Sequence, residues 1–161
     1  MYQVIEADGN VAIGMGAGAY ANKSVENVMI GRYAMQSAGN GDKTVQCNVA
    51  IGNSAGNKTY GNNNTFVGYN AGYRNTSGRS NVMVGGSTLG CSTGTGNNNT
   101  FVGAEIYTPS NLHDSIALGK GAIPTNNNQM MLGSSDITEV VICGNKKINF
   151  NADGTVTWES I

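Results

Sequence analysis

A five-residue pattern recurs along the chain: a polar residue, three apolar or β-branched residues, then glycine. It reads Asn10-Val-Ala-Ile-Gly14, Asn27-Val-Met-Ile-Gly31, Asn48-Val-Ala-Ile-Gly52 and Asn64-Thr-Phe-Val-Gly68. It continues as Asn81-Val-Met-Val-Gly85, Asn99-Thr-Phe-Val-Gly103, Ser115-Ile-Ala-Leu-Gly119 and Gln129-Met-Met-Leu-Gly133, with a looser ninth copy at Val140-Val-Ile-Cys-Gly144. The glycines step by 17, 21, 16, 17, 18, 16, 14 and 11 residues. Each apolar run stops after three or four residues and glycine is frequent, which argues against helix. β-branched residues suit a pleated surface, and flanking Asn and Gly favour turns, so each copy predicts a short strand. Repetition at this period predicts an all-β chain folded as a parallel β-solenoid, or β-roll, of nine short repeats over 10–144. The variation in spacing then falls in the turns, where extra length costs little.

A second column supports the register. The residue three after the strand glycine is alanine at Ala17, Ala34, Ala55, Ala71 and Ala122, and glycine follows at Gly18, Gly56 and Gly72. A small residue at one level predicts a corner where backbones approach closely. The rest of each coil is a polar turn, as at Gly61-Asn62-Asn63-Asn64 and Gly96-Asn97-Asn98-Asn99, where Asn tolerates left-handed backbone and bonds to its own main chain.

Successive side chains in a strand point to opposite faces. The outer positions, such as Val11/Ile13, Val28/Ile30, Val49/Ile51, Val82/Val84 and Ile116/Leu118, are assigned to the inside of the coil. The middle positions are apolar as well: Ala12, Met29, Ala50, Phe66, Met83, Phe101, Ala117, Met131 and Ile142. Strands apolar on both faces are buried on both sides. Along roughly 40 Å of coil the middle residues are therefore expected to form an exposed stripe that packs against other copies.

Residues 1–9 are expected to supply an N-terminal cap strand. In 145–161, Ile148/Phe150 and Val156/Trp158 alternate around Asn151-Ala-Asp-Gly154, which predicts a C-terminal β-hairpin cap. Caps matter because the ends of a solenoid are open sheet edges.

Composition narrows the function. The 161 residues include 24 glycines and 23 asparagines, while charged residues make up only 12% and the net charge is -1. A near-neutral chain lacks the cationic face that nucleic acid requires, and no polybasic membrane patch is present. No segment approaches the roughly 18 apolar residues of a membrane span, so no membrane insertion is expected. Glu6 and Asp8 stand where a signal peptide would place basic residues. Cys47, Cys91 and Cys143 are odd in number and form no CxxC pair, so they read as reduced small hydrophobes rather than a disulfide scaffold.

The segments NVAIGMGAGA, NVAIGNSAGN and NNNTFVGYNAG resemble the head repeats of trimeric autotransporter adhesins. They are still more similar to the repeats of phage tail fibres and of fibre-like proteins from large viruses. The resemblance runs from Asn10 to Gly144. It implies parallel β-rolls, three chains packed along one axis, and an adhesive surface that contacts a host cell. The preference for threefold over twofold closure comes from this resemblance. The chain departs from the bacterial adhesins in its longer, irregular coils and in lacking a heptad stalk, membrane anchor or signal peptide. Those departures favour the viral version, assembled in a host cytoplasm and located in a virion as a tail or surface fibre. No chaperone domain of the kind some phage fibres carry is present.

Candidate chemistry is sparse. His113 beside Asp114 reads as a solvated turn residue; on a threefold axis three copies would form a metal site, but no metal, cofactor or catalytic residue is assigned. The ten carboxylates show no marked acid/base pair, and the glycine strings at Gly14–Gly18 and Gly94–Gly96 do not open a helix, as a phosphate loop would. Tyr33, Tyr69, Tyr73 and Tyr107, just after strand glycines, are the candidate receptor-binding residues, with aromatic faces suited to sugar rings or to packing over corners. The reading is a non-enzymatic, homotrimeric fibre segment or tip that attaches to a host-surface glycan or protein receptor. The alternatives are a tailspike-like polysaccharide-degrading enzyme and a bacterial adhesin head. An ice-binding solenoid would want aligned Thr-x-Thr ladders, which the strands do not carry.

Overall fold

The computed structural model describes residues 8–20, 23–38, 44–88, 90–91, 94–108, 111–142, 146–150 and 156–160. In chain order the strands are β1 (Val11–Ile13), β2 (Ser24–Val25), β3 (Val28–Ile30), β4 (Val45–Gln46), β5 (Val49–Ile51), β6 (Thr65–Val67), β7 (Val82–Val84) and β8 (Gly90–Cys91). They continue as β9 (Thr100–Val102), β10 (Tyr107–Thr108), β11 (Ile116–Leu118), β12 (Met130–Leu132), β13 (Glu139–Ile142), β14 (Lys146–Phe150) and β15 (Val156–Ser160). The described residues contain no helix.

The chain is a β-solenoid. Eight strands form one parallel sheet in the order β1-β3-β5-β6-β7-β9-β11-β12. Their register matches the repeat: Val11, Val28, Val49, Thr65, Val82, Thr100, Ile116 and Met130 stack in one row. Two further parallel pairs, β2–β4 and β8–β10, form on other sides of the coil.

The strand glycines turn the corners. Gly14, Gly31, Gly52, Gly68, Gly85, Gly103 and Gly119 all have φ between 108° and 152°. A Cβ on Gly14 would lie 2.7 Å from the carbonyl carbon of Gly31 in the next coil, so conformation and space both require glycine there. The alanine column is where the sequence placed it: Ala34, Ala55, Ala71 and Ala122 are fully buried and Ala17 packs against them.

The strand faces are the reverse of the expectation. Met29, Ala50, Phe66, Met83, Phe101 and Ala117, assigned above to an inter-chain stripe, point into the coil and are at most 3% exposed. Met131 packs partly against the same core, and Ala12, in the first coil, is exposed. The outer positions face outward. Parity explains the inversion: Asn27, Met29 and Gly31 lie on one face of the strand, and Asn27 must be inside because its amide bonds buried carbonyls.

The repeat count is also corrected. The described part of the ninth copy, Val140 to Ile142, does not join the stack. Glu139–Ile142 pairs antiparallel with β14 instead, and Ile142 is opposite Lys146. Only eleven residues separate Gly133 from Gly144, fewer than the 14 of the shortest circuit in the stack, Gly119 to Gly133. The expected C-terminal hairpin is present as β14–β15, with Ile148 opposite Trp158 and Phe150 opposite Val156, in a three-stranded sheet separate from the solenoid sheet. Its turn, and residues 1–7 of the proposed N-terminal cap, lie outside the described residues.

Candidate association surface

The polar residue that opens each repeat builds a ladder inside the coil. Asn27, Asn48, Asn64, Asn81 and Asn99 are buried. In each step the Oδ1 of one Asn accepts the backbone N–H of the next, at 2.9–3.0 Å, and its side-chain amide at 3.0–3.2 Å. The Nδ2 also donates to a carbonyl of the following coil: Val45, Gly61, Gly78, Gly96 and Leu112. Ser115 closes the ladder, donating its N–H to Asn99 Oδ1 at 3.1 Å and its hydroxyl to the carbonyls of His113 and Asn126. Gln129 instead folds back to accept the N–H groups of Thr125 and Asn126. The residue before each rung takes left-handed backbone, as at Glu26, Cys47, Asn63, Ser80, Asn98 and Asp114.

With the ladder fixing one parity inside, the other parity forms the outer face. It holds sixteen side chains in two columns: fourteen are apolar, and Thr65 and Thr100 are the two exceptions. No charge stands on it. Exposure is highest at the two ends of the sheet, 58% for Ile13 and 56% for Met130, and remains 36–39% for Ile51, Val82, Val102, Ile116 and Leu118 between them. The face is about 34 Å long and 10 Å wide. Together its side chains expose on the order of 800 Å², the area one partner contributes to a stable protein interface. That exceeds the roughly 300–600 Å² of the largest apolar patch on a typical monomer.

The candidate tyrosines are distributed along the coil. Tyr33, half-buried, lies over Gly16, with the Arg32 guanidinium 4.7 Å from its ring centroid. Tyr73 is half-buried with Lys58 Nζ 5.8 Å from its ring centroid. Tyr69 and Tyr107 are exposed. Tyr33 belongs to the second coil, Tyr69 and Tyr73 to the fourth and Tyr107 to the sixth, so these three levels are roughly 10 Å apart along the axis. The structure does not assemble them into one cradle.

His113 is half-buried in the turn before Ser115, where its Nδ1 accepts the N–H of Asn97 at 3.2 Å and its own N–H donates to Asn127 Oδ1. No group of three metal-ligating side chains occurs among the described residues. No helix in the described residues is long and apolar enough to cross a membrane. Cys47 is exposed rather than buried, and its thiol donates to Glu26 Oε2 at 3.4 Å. That hydrogen bond, with partial desolvation and the carboxylate charge, raises the thiol above its ordinary pKa.

Comparison of the chain with protein-family models, with curated proteins and with solved structures finds no match. The outer face and the Asn ladder were both missed in reading the sequence. The signal for both was the parity shared by the leading Asn and the middle strand residue.

Proposed function

We propose that the chain is a structural and adhesive module: a segment or tip of a homotrimeric virus or phage fibre that attaches to a glycan or protein receptor on a host cell. The observation that carries the reading is the uncharged apolar face running the length of the eight-stranded sheet. Further copies of the same chain are the occupant it fits, because the face is apolar and uncharged along its whole length, and an exposed apolar patch of this extent marks an association surface. Three such faces, each two side chains wide, close around a common axis and leave the turns outward for contact with a receptor. Threefold closure and the viral setting follow the resemblance of the repeats to fibre proteins.

The test is solution mass by light scattering or sedimentation at low concentration. The reading expects a particle of about 50 kDa, three times the 16.7 kDa chain. A particle of about 33 kDa would replace the trimer by a dimer. A folded 16.7 kDa monomer would overturn the fibre reading. Binding of the oligomer to a glycan array, lowered by Tyr69→Ala or Tyr107→Ala, tests the adhesive part; wild-type binding unchanged by both variants would remove these tyrosines from the receptor site.

A further inference from the structure

The apolar face has two flanks, and their charges have a pattern. One flank is the left-handed residue before each ladder position; the other is the residue after each corner glycine. In the second coil these are Glu26 and Arg32, and in the seventh they are Asp114 and Lys120. In the other six coils both flank positions are uncharged. All four charged residues are exposed. The members of each pair are six residues apart, one beyond each end of the same strand and on the order of 15–20 Å from one another, so they do not meet within one coil.

Their present contacts are surface contacts. Arg32 stacks on Tyr33 and donates to its hydroxyl at 3.3 Å, and Glu26 accepts from the Cys47 thiol. Asp114 accepts from Asn98 Nδ2 at 3.0 Å. Lys120 Nζ lies 3.3 Å from Glu105 Oε2, with both side chains more than half exposed. Exposed pairs of this kind hold a side chain only loosely.

Symmetry decides what the flanks meet when apolar faces pack. If copies lie parallel and in register about an axis along the stack, the first flank of one copy meets the second flank of the next, coil by coil. Glu26 then faces Arg32 of a neighbouring copy, and Asp114 faces Lys120. If two copies pack antiparallel with their sheets fully overlapped, the second coil lies opposite the seventh and like flanks meet. Arg32 then faces Lys120, and Glu26 faces Asp114. The same four charges attract in one arrangement and repel in the other, much as flanking charges select direction in coiled coils.

We infer that the occupant of the apolar face is a second copy of this chain lying parallel and in register, with Glu26–Arg32 and Asp114–Lys120 as the seam pairs that set direction and register. This rests on the self-association proposed above. Rim charges contribute more to selecting the arrangement than to affinity, which the apolar columns supply.

The test replaces Cys47, Cys91 and Cys143 by serine and introduces E26C/R32C in one variant and R32C/K120C in another. Positions 26 and 32 of one chain lie beyond the roughly 7 Å Cα limit of a disulfide, so a bond between them reports neighbouring copies. Mild oxidation is expected to link E26C/R32C into covalent oligomers and to leave R32C/K120C unlinked. Linking of neither variant while the solution mass stays oligomeric overturns the seam pairs and leaves the self-association reading intact; linking of R32C/K120C instead overturns the threefold closure as well and leaves only self-association. A monomeric wild-type mass overturns both. As a second measurement without cysteines, R32E is expected to weaken association roughly tenfold, and adding E26R is expected to restore it. Equal association in all three proteins would refute the pairing.

Discussion

Asn64→Ala tests whether the ladder carries the solenoid. Asn64 Oδ1 accepts the N–H of Asn81 at 3.0 Å and its side-chain amide at 3.2 Å, while Asn64 Nδ2 donates to Asn48 Oδ1 at 3.1 Å and to the Gly78 carbonyl at 2.9 Å. Three of these partners keep another bond. Asn48 Oδ1 still accepts the Asn64 N–H, Gly78 still accepts from Asn75, and Asn81 Nδ2 still donates to Gly96. The Asn81 N–H has none left and is buried. An orphaned buried donor costs about 2 kcal/mol and each weakened bond about 0.5–1, giving about 4 kcal/mol. With a urea slope near 2 kcal/mol/M, the midpoint falls by about 2 M at fixed protein concentration. The control is Asn63→Gly, one residue earlier: Asn63 is exposed with φ 61°, so glycine suits it and the change stays within about 0.5 kcal/mol. Equal midpoints for the two variants would refute the ladder's role. Asn64→Asp keeps the shape but puts a carboxylate against two buried oxygens, which raises its folded pKa above the unfolded value. Its stability is therefore greatest at low pH, where the acid can still donate, and is lost as pH rises through the folded pKa.

Gly72→Ala is expected to destabilise by at least 2 kcal/mol, because φ is 64° and the new Cβ would collide with the Phe66 ring; Phe66→Leu should recover part of the loss, and an unchanged melting temperature in Gly72→Ala would contradict the packing. Val82→Asp places a charge at the centre of the apolar face and is expected to lower solution mass and melting temperature together; a variant that keeps the wild-type mass would remove that face from the interface. Glu26→Gln takes away the carboxylate that raises the Cys47 thiol, so alkylation at pH 8 should quicken a few-fold. An unchanged alkylation rate would show that the thiol does not sense Glu26.

The stacking of the repeat was legible because its signals are local: a short β-branched run, a left-handed turn before it and a corner glycine after it. The direction of the side chains was not, because Val-Met-Ile is apolar at every position and hydrophobicity alone cannot choose a face. The leading Asn held the answer. Its amide needs buried partners from two neighbouring coils, and it shares parity with Met29, Ala50 and Phe66. Side-chain size held a second clue. The middle column runs from alanine to phenylalanine, a range an interior accommodates by placing Gly56 and Gly72 beside Phe66, where a Cβ on Gly56 would lie 2.7 Å from the ring. The outer columns are more uniform, as suits a flat surface. The spacing held a clue to the ninth copy as well, since its 11-residue step is shorter than the 14 of the shortest circuit in the stack.

The inversion changes how stability is distributed. Of the fourteen buried apolar residues in the core cluster, seven are alanine. Most of the large aliphatic side chains in the strands stand on the outside instead. Burying alanine yields little of the free energy that burying isoleucine, leucine or valine provides. A single protomer therefore rests on seven larger buried side chains, Met29, Met35, Val45, Phe66, Met83, Phe101 and Ile106, together with backbone pairing and the Asn ladder, whose net worth per bond is about 1 kcal/mol. On the proposed self-association, the outer columns release their share only when another copy covers them. The proposed self-association would couple folding to assembly, and it predicts a melting temperature that rises with protein concentration. This coupling explains why Val82→Asp should lower mass and melting temperature in one step rather than yield a monomer as stable as the assembly. It also gives the flank charges their use, since a uniform apolar stripe with a regular strand spacing can slide by one coil or reverse direction at little cost in buried area. In the proposed seam, Glu26 with Arg32 and Asp114 with Lys120 make those alternatives unequal.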